Sequence, residues 1–128
     1  MSGNKLLLDT NILIYLSKQE LMLEDFASED DVLLISVITL MEAKSYQFSN
    51  KEEETIIDTL CENLIKAHIT DDVIETVISL RKKHKIKLPD SIILATAINN
   101  NLKLITRNAK DFEVAAPSNI VFNPFKII

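Results

Sequence analysis

The stretch KLLLDTNILIYL, residues 5–16, joins a short apolar strand directly to a helix. Residues 5–8 are typical of a buried strand, and the apolar spacing over 11–18 predicts the helix that follows. Between the two lie Asp9, Thr10 and Asn11, three polar residues where one helix cap is sufficient. Thr10 and Asn11 are predicted to cap the helix, which leaves the Asp9 carboxylate at the end of the strand to be explained.

Short apolar strands and helices alternate along the whole chain. Strands are predicted at 5–8, 31–36, 65–69, 102–106 and 120–122, and helices at 11–18, 20–28, 37–48, 50–64, 71–84 and 89–100. Ser36 and Asn50 are predicted N-caps, and Pro89 is predicted at the first position of its helix. This alternation indicates an α/β fold with a parallel sheet covered on both faces. The 128 residues, without a repeat or a linker, predict a single domain over 1–128.

The composition predicts a cytoplasmic protein without a membrane segment. No apolar run approaches the ~20 residues of a membrane-spanning helix, and Asp9 interrupts the apolar N-terminal stretch too early for a signal peptide. Cys61 is the only cysteine, which excludes an intrachain disulfide and fits a reducing compartment.

Several chemistries are excluded by the rarity of the residues they need. Gly3 is the only glycine, so a glycine-rich phosphate loop cannot form. His68, His84 and Cys61 are too few for a zinc cluster. Carboxylates are abundant instead, with 19 Asp and Glu against 14 Lys and Arg, which gives a net charge of −5. Such an acidic balance is atypical of nucleic-acid-binding domains.

Oxygen-bearing side chains follow several of the predicted strands. Asp9 ends the first strand, Glu42 lies on the helix after the second, and Asn108 and Asp111 follow the fourth. Asp90 stands in the first turn of the helix 89–100. Because sites in parallel α/β sheets form beyond the carboxyl ends of the strands, we expect these side chains at one rim.

Each of these positions also has a plain structural explanation. Asp9 and Asn108 can be simple N-caps, with Asp111 imitating a capping box, and Asp90 can complement a helix dipole. Glu42 lies on a mostly apolar helix face and is expected to be buried, which requires a cationic partner. Clustered carboxylates repel one another unless a cation is present, and oxygen ligands favour Mg²⁺ or Mn²⁺. Metal-assisted phosphodiester hydrolysis is the reaction that this inventory serves best.

Four segments carry a resemblance to a known family: LLLDTNILIYL (6–16), ISVITLMEAKS (35–45), KIKLPDSIILATAI (85–98) and LITRNAKDF (104–112). In this order and at this chain length they resemble the PIN domain, and within it the VapC-like toxins of bacterial toxin–antitoxin pairs. The resemblance implies a Mg²⁺- or Mn²⁺-dependent endoribonuclease on a three-layer fold, with a central, mainly parallel sheet of about five strands flanked by helices.

The resemblance also implies roles for individual residues. Asp9, Glu42 and Asp90 match the metal-binding acids, and Asn108 and Asp111 complete the catalytic set in the fourth segment. The small polar residues that support these acids are Thr10, Asn11, Ser36 and Thr106. Many PIN domains have an aspartate at the position of Asn108, and a neutral ligand there implies one firm metal site and a second, weaker one.

Partners follow from the same resemblance: an RNA substrate, a cognate antitoxin protein, a homodimer and no membrane. The candidate RNA contacts are the basic residues Arg107, Lys82, Lys83, Lys85 and Lys87, although the lysines equally suit a solvated helix end. Asp71 and Asp72 are assigned to a helix start, His68 and His84 to structure or surface, and Cys61 to the core.

Two other functions are open at the level of the sequence. A catalytically silent PIN scaffold that binds RNA or protein is the first. The presence of Asp9, Glu42 and Asp90 together argues against it, whereas the neutral Asn108 keeps it open. The second is a phosphatase or phosphotransfer domain, since these also begin with an aspartate at a strand end. Asn11 argues against the haloacid-dehalogenase type of phosphatase, which needs a second aspartate at that position.

Overall fold

The computed structural model describes residues 3–117 and 119–126. Over these ranges the strands are β1 (Lys5–Leu8), β2 (Val32–Ser36), β3 (Ile65–Ala67), β4 (Lys103–Ile105) and β5 (Val121–Phe122). The α-helices are α1 (Thr10–Ser17), α2 (Val37–Lys44), α3 (Lys51–Asn63), α4 (Asp71–Lys83), α5 (Leu88–Asn99) and α6 (Ala109–Glu113). Short 3-10 turns lie at Leu23–Asp25 and Pro124–Lys126.

The five strands form one sheet in the order β3-β2-β1-β4-β5, and every neighbouring pair is parallel. The first strand lies at the centre, where Leu7 pairs with Leu34 on one side and with Leu104 on the other. The predicted α/β fold with a mainly parallel sheet of about five strands is confirmed.

Alternation of side chains along β1 divides the interior into two layers. Leu6 and Leu8 pack with residues of α1 and α3 on one face of the sheet. Leu7 points to the opposite face and packs with residues of α5 and α6. The fourth helix covers α5 from outside through Val73 and Val77. Two helical layers therefore enclose the sheet.

Side-chain caps begin two of the helices as the sequence predicts. Ser36 Oγ accepts a hydrogen bond of 3.1 Å from the Ile38 amide and starts α2 directly after β2. Asn50 Oδ1 accepts a hydrogen bond of 2.9 Å from the Glu53 amide at the start of α3. Pro89 is the second residue of α5, because the helix begins one residue earlier than predicted.

The helix predicted over 20–28 is wrong, since only the 3-10 turn Leu23–Asp25 forms there. An α-helix does not form over 20–28 because short acidic side chains compete for the backbone amides. The carboxylate of the turn's last residue accepts from the Met22 amide at 2.9 Å. Asp31 accepts from the Ser28 amide at 2.9 Å.

The helix predicted over 37–48 is shorter than expected and ends at Lys44. Ser45 Oγ donates to the Met41 carbonyl at 2.7 Å, which satisfies an acceptor at the helix end. Tyr46 lies past this end, with its ring centroid 4.8 Å from that of Phe48.

The chain order around the sheet creates a crevice beside β1. From β1 the chain moves outward through β2 and β3, and it then crosses to β4 on the other side. Ligand sites in open parallel sheets form where the chain order reverses in this way, beyond the carboxyl ends of the strands. In the part of the chain that the structure describes, no helix is both long and apolar enough to cross a membrane.

Replacing Leu7 by alanine is expected to destabilise the fold strongly, because its side chain is fully buried in the central strand. Removing a buried leucine side chain costs about 2–5 kcal/mol in the free energy of unfolding. Urea denaturation measures this loss. The control is Ile65→Ala on the edge strand, where the side chain is 52% exposed and a change within about 0.5 kcal/mol is expected. Equal losses at both positions would contradict the assigned strand order.

Candidate active site

Asp9 is fixed by the backbone at the end of the central strand. Its amide donates to the Ile105 carbonyl at 2.9 Å, which continues the β1–β4 pairing by one residue. Its Oδ1 accepts from the Thr10 amide at 2.8 Å and makes Asp9 the N-cap of α1. The side chain is therefore both a helix cap and a buried carboxylate, with the residue only 6% exposed.

The second carboxylate oxygen of Asp9 is held by two further side chains. Thr106 Oγ1 donates to Asp9 Oδ2 at 2.7 Å, and Asn11 Nδ2 donates to the same atom at 3.1 Å. Thr106 is fully buried after β4, and its hydroxyl accepts from the Asn108 amide at 3.0 Å. The interpretation of Thr10 and Asn11 as helix caps is wrong, because Asp9 itself caps α1, whereas Asn11 supports the carboxylate as expected.

Burial raises the pKa of Asp9 to about 6, against 3.8 for an unperturbed aspartate. The hydrogen bonds from Thr106 and Thr10 act in the opposite direction, and the negative charges of Asp90 and Glu42 add to the increase. The pKa of Asp90 is also raised, first by burial and then by the charge of Asp111. These carboxylates are thus close enough to disfavour one another's ionisation.

A cleft of about 690 Å³ opens above these groups, and we call it the acid cleft. Four of the five predicted catalytic residues line it: Asp9, Glu42, Asp90 and Asn108. One wall of the cleft comes from α1, whose residues Asn11, Ile14, Tyr15 and Lys18 follow one helical face.

Glu42 reaches the acid cleft from α2 and is held there by α1. Thr10 Oγ1 donates to Glu42 Oε1 at 2.6 Å and lies 3.1 Å from the hydroxyl of the fully buried Thr39. The expected burial of Glu42 is wrong, because its helix face opens onto the cleft and leaves the residue exposed.

Asp111 stands apart from the other predicted catalytic residues. It lines a smaller cleft of about 280 Å³, which we call the side cleft, with Arg107, Asn108, Lys110 and Asn123. Asn108 lines both clefts. Asp111 therefore acts on the acid cleft through its charge near Asp90.

The predicted RNA contacts fall into two groups. Arg107 flanks the acids through its neighbour Asn108, and the charge of Lys87 lowers the pKa of Asp90. Lys82 and Lys85 instead line a separate depression of about 460 Å³ near the end of α4, and Lys83 is exposed on the same helix.

Ser36 and the residues expected to lie outside the site do not line the acid cleft. Ser36 is fully buried as the cap of α2 and supports the site only by placing that helix. Asp71 and Asp72 occupy the first turn of α4, where Thr70 is the cap. Cys61 is buried in the core, and this burial raises the pKa of its thiol. His68 and His84 do not line the acid cleft.

Two residues that shape the acid cleft were not predicted from the sequence, although helical spacing points to both. Thr39 lies one turn before Glu42 on α2, so helical spacing predicts a shared face. Tyr15 lies one turn after Asn11 on α1 by the same rule.

The donor set suits a hard divalent cation that retains water. Among residues 3–117 and 119–126, no three His, Cys, Asp or Glu side chains are grouped closely enough to hold a metal by themselves. Mg²⁺ binds proteins through one or two carboxylates and keeps several water ligands, so it does not need such a cage. Asp9 and Asp90, both with raised pKa, are the residues that would hold it, with Glu42 and Asn108 at the same cleft.

Comparison with known proteins identifies the fold independently of this geometry. A family model described as the PIN domain matches residues 6–116. A chain of a toxin–antitoxin complex from Klebsiella pneumoniae is 39% identical, with a TM-score of 0.70 and coverage of 95% of this chain and 99% of that chain. Comparison with curated proteins finds no significant match.

Two structures with lower identity share the fold. VapBC2 from Rickettsia felis, solved bound to a DNA fragment from its promoter, is 23% identical, with a TM-score of 0.76 and coverage of 93% of this chain and 98% of that chain. VapBC-1 from nontypeable Haemophilus influenzae is 24% identical, with a TM-score of 0.71 and coverage of 95% and 99%. Because the family model spans most of the sequence, the chain belongs to the PIN domain family.

Proposed function

We propose that this PIN-domain protein is a Mg²⁺- or Mn²⁺-dependent endoribonuclease and the toxin of a toxin–antitoxin pair. The observation that supports the nuclease most is Asp9, a buried carboxylate with three hydrogen bonds whose pKa is nevertheless raised to about 6. It faces a cleft that three further carboxylates, Glu20, Glu42 and Asp90, and the amides of Asn11 and Asn108 also line. A bound cation relieves the repulsion in such a cluster.

Each residue has a separate part in this proposal. Asp9 and Asp90 would hold the metal, and Glu42 would accept a proton or a hydrogen bond from the attacking water. Asn108 would supply a neutral oxygen, so a second ion would be held weakly, with Asp111 nearby. A bound metal would supply a water nucleophile near neutral pH and neutralise charge on the phosphodiester. Thr106 and Asn11 keep the Asp9 carboxylate in one orientation.

The proposed partners are RNA, an antitoxin chain and a second copy of the protein. The 39% identical Klebsiella pneumoniae chain comes from a toxin–antitoxin complex, which supports an antitoxin partner here. A basic segment of such a partner would complement the acids of the cleft. The homodimer and the cytoplasmic location remain predictions.

A catalytically silent scaffold that binds RNA or protein is the second candidate. The neutral side chain of Asn108, at a position where many PIN domains have an aspartate, keeps this candidate open. Cleavage assays distinguish the two candidates directly.

The purified chain is expected to cut cellular RNA into discrete fragments with Mg²⁺ or Mn²⁺, and to be inactive in EDTA. Asp9→Asn and Asp90→Asn are each expected to lower the rate about 100-fold or more, because each removes a metal-binding carboxylate. Gel electrophoresis of the products measures the rate, and thermal melting checks that the variants fold.

The matched control is Asp71→Asn, which removes one carboxylate at the start of α4, away from the acid cleft. Its rate should equal that of the parent. Parent-like cleavage by Asp9→Asn would contradict the assigned metal ligands, and no cleavage by the folded parent would favour the silent scaffold.

Ionisation of Asp9 is expected to make the metal-free protein less stable as the pH rises. Its pKa is higher in the folded chain, at about 6, than the unperturbed 3.8, so the folded state binds more protons between these values. Relative to Asp9→Asn, the parent should lose up to about 3 kcal/mol of unfolding free energy between about pH 4 and pH 7. Urea denaturation in EDTA measures this difference, and added Mg²⁺ should stabilise only the parent at pH 7. Parallel pH profiles for the two proteins would disprove the raised pKa.

A further inference from the structure

Arg107 is fixed by its backbone beside the acid cleft. Its amide donates to Asn11 Oδ1 at 3.1 Å, and the same Asn11 side chain donates to Asp9 Oδ2. Its carbonyl accepts from Asn123 Nδ2 at 3.2 Å. A single amide side chain therefore connects the position of Arg107 to that of the buried carboxylate.

The guanidinium of Arg107 rests on two aromatic rings. Its central carbon lies 4.1 Å from the Phe125 ring centroid and 5.7 Å from that of Tyr15. The two rings contact each other, with centroids 4.8 Å apart. Asn123 places Phe125 by accepting from its amide at 2.9 Å. We call Arg107 with Tyr15 and Phe125 the arginine platform.

The contact with the rings leaves the N–H groups of the Arg107 guanidinium available as donors. Arg107 is exposed, and the ion pairs found in residues 3–117 and 119–126 do not include it. By contrast, Lys18, which lines the acid cleft, is paired with Glu53 at 3.3 Å. A guanidinium on an aromatic face keeps its fork of donors available for a bidentate contact with an anion.

The arginine platform also stands between the two clefts. Tyr15 lines the acid cleft, Arg107 lines the side cleft, and Asn108 lines both. Lys110 adds a second positive charge in the side cleft. A chain of phosphates that enters the acid cleft therefore meets Arg107 on its way to the side cleft.

We propose that the arginine platform binds the phosphate next to the scissile one in single-stranded RNA, and that the strand runs from the acid cleft across Arg107 into the side cleft. This inference rests on the proposed ribonuclease function. Single-stranded RNA fits because its flexible backbone can bend at Asn108, which lines both clefts. An unpaired base can also stack on the exposed part of the half-buried Tyr15.

The fold provides a matched control for this platform. Lys103 Nζ lies 5.1 Å from the Phe122 ring centroid, so it forms another cation–π contact, between the paired strands β4 and β5. Lys103 begins β4, whereas Arg107 lies beyond the carboxyl end of that strand, where the acids are. Lys103→Ala thus removes the same charge and the same kind of contact at the end of the sheet away from the acids.

The test measures binding of a fluorescein-labelled single-stranded RNA by fluorescence anisotropy in EDTA, between about 50 and 200 mM KCl. Arg107→Ala is expected to weaken binding about tenfold. It should also reduce the slope of log affinity against log salt by about 0.7, the value for one lost phosphate contact to a single strand. Arg107→Lys should retain the slope because it keeps the charge, and Lys103→Ala should match the parent in both measures. Thermal melting verifies that each variant is folded.

The salt dependence separates a phosphate contact from a structural role, because a loosened loop alone does not remove one ion-release event. An unchanged slope for folded Arg107→Ala, with cleavage by the parent intact, would overturn the platform and leave the ribonuclease proposal standing. An equal loss in Lys103→Ala would also overturn the platform, since it would show a general charge effect. Failure of the parent both to bind and to cleave RNA would overturn both proposals.

Discussion

The hydrogen bond from Thr106 to Asp9 joins residues 97 positions apart, and the site depends on it. It forms because β1 and β4 pair in parallel with Leu8 opposite Ile105, so that both strands end at the same level. The Asp9 amide then extends the pairing into the site by donating to the Ile105 carbonyl. A carboxylate held in this way has the rigidity of the central sheet.

The hydrogen bonds that hold the Asp9 carboxylate and the electrostatics around it have opposite effects on its ionisation. Three hydrogen bonds stabilise the ionised form of Asp9, yet burial and two neighbouring carboxylates outweigh them and raise its pKa. A site selected only for stability would relieve this by a paired lysine, and Lys18 is in the cleft but is paired with Glu53. Lys18 therefore does not compensate the repulsion among these carboxylates, as expected where a cation or a charged ligand binds.

The sequence was sufficient to predict the sheet but only part of the site. Each strand is a short apolar run that no other element competes for, and Asp9 follows from its place at a strand end. The helix predicted over 20–28 does not form. Asp31 bonds the Ser28 amide, which such a helix would pair with the carbonyl four residues earlier, and apolar spacing does not reveal this competition. Helical spacing predicts which face of α2 carries Glu42, but it does not predict what covers that face. The predicted burial of Glu42 was therefore wrong.

The same limit applies to the fourth segment. Asn108 and Asp111 are three residues apart, and the sequence put both beside the acids. The turn into α6 instead leaves Asn108 at the boundary of two clefts and Asp111 in the smaller one. The aromatic support of Arg107 was beyond sequence reasoning, because Tyr15 and Phe125 are 110 positions apart and meet only through the fold.

Net charge is a poor guide to the ligand of such a protein. A total of −5 argues against a nucleic-acid binder if the charges are spread evenly. Here several acids are gathered in one cleft, where a divalent cation would reverse the local field, whereas Arg107 and Lys110 flank that cleft on one side. Phosphates interact with this local arrangement over distances of about 10 Å, beyond which salt screens the remaining surface. An acidic chain can therefore present a site for a polyanion, provided that its few cations lie where the backbone must pass.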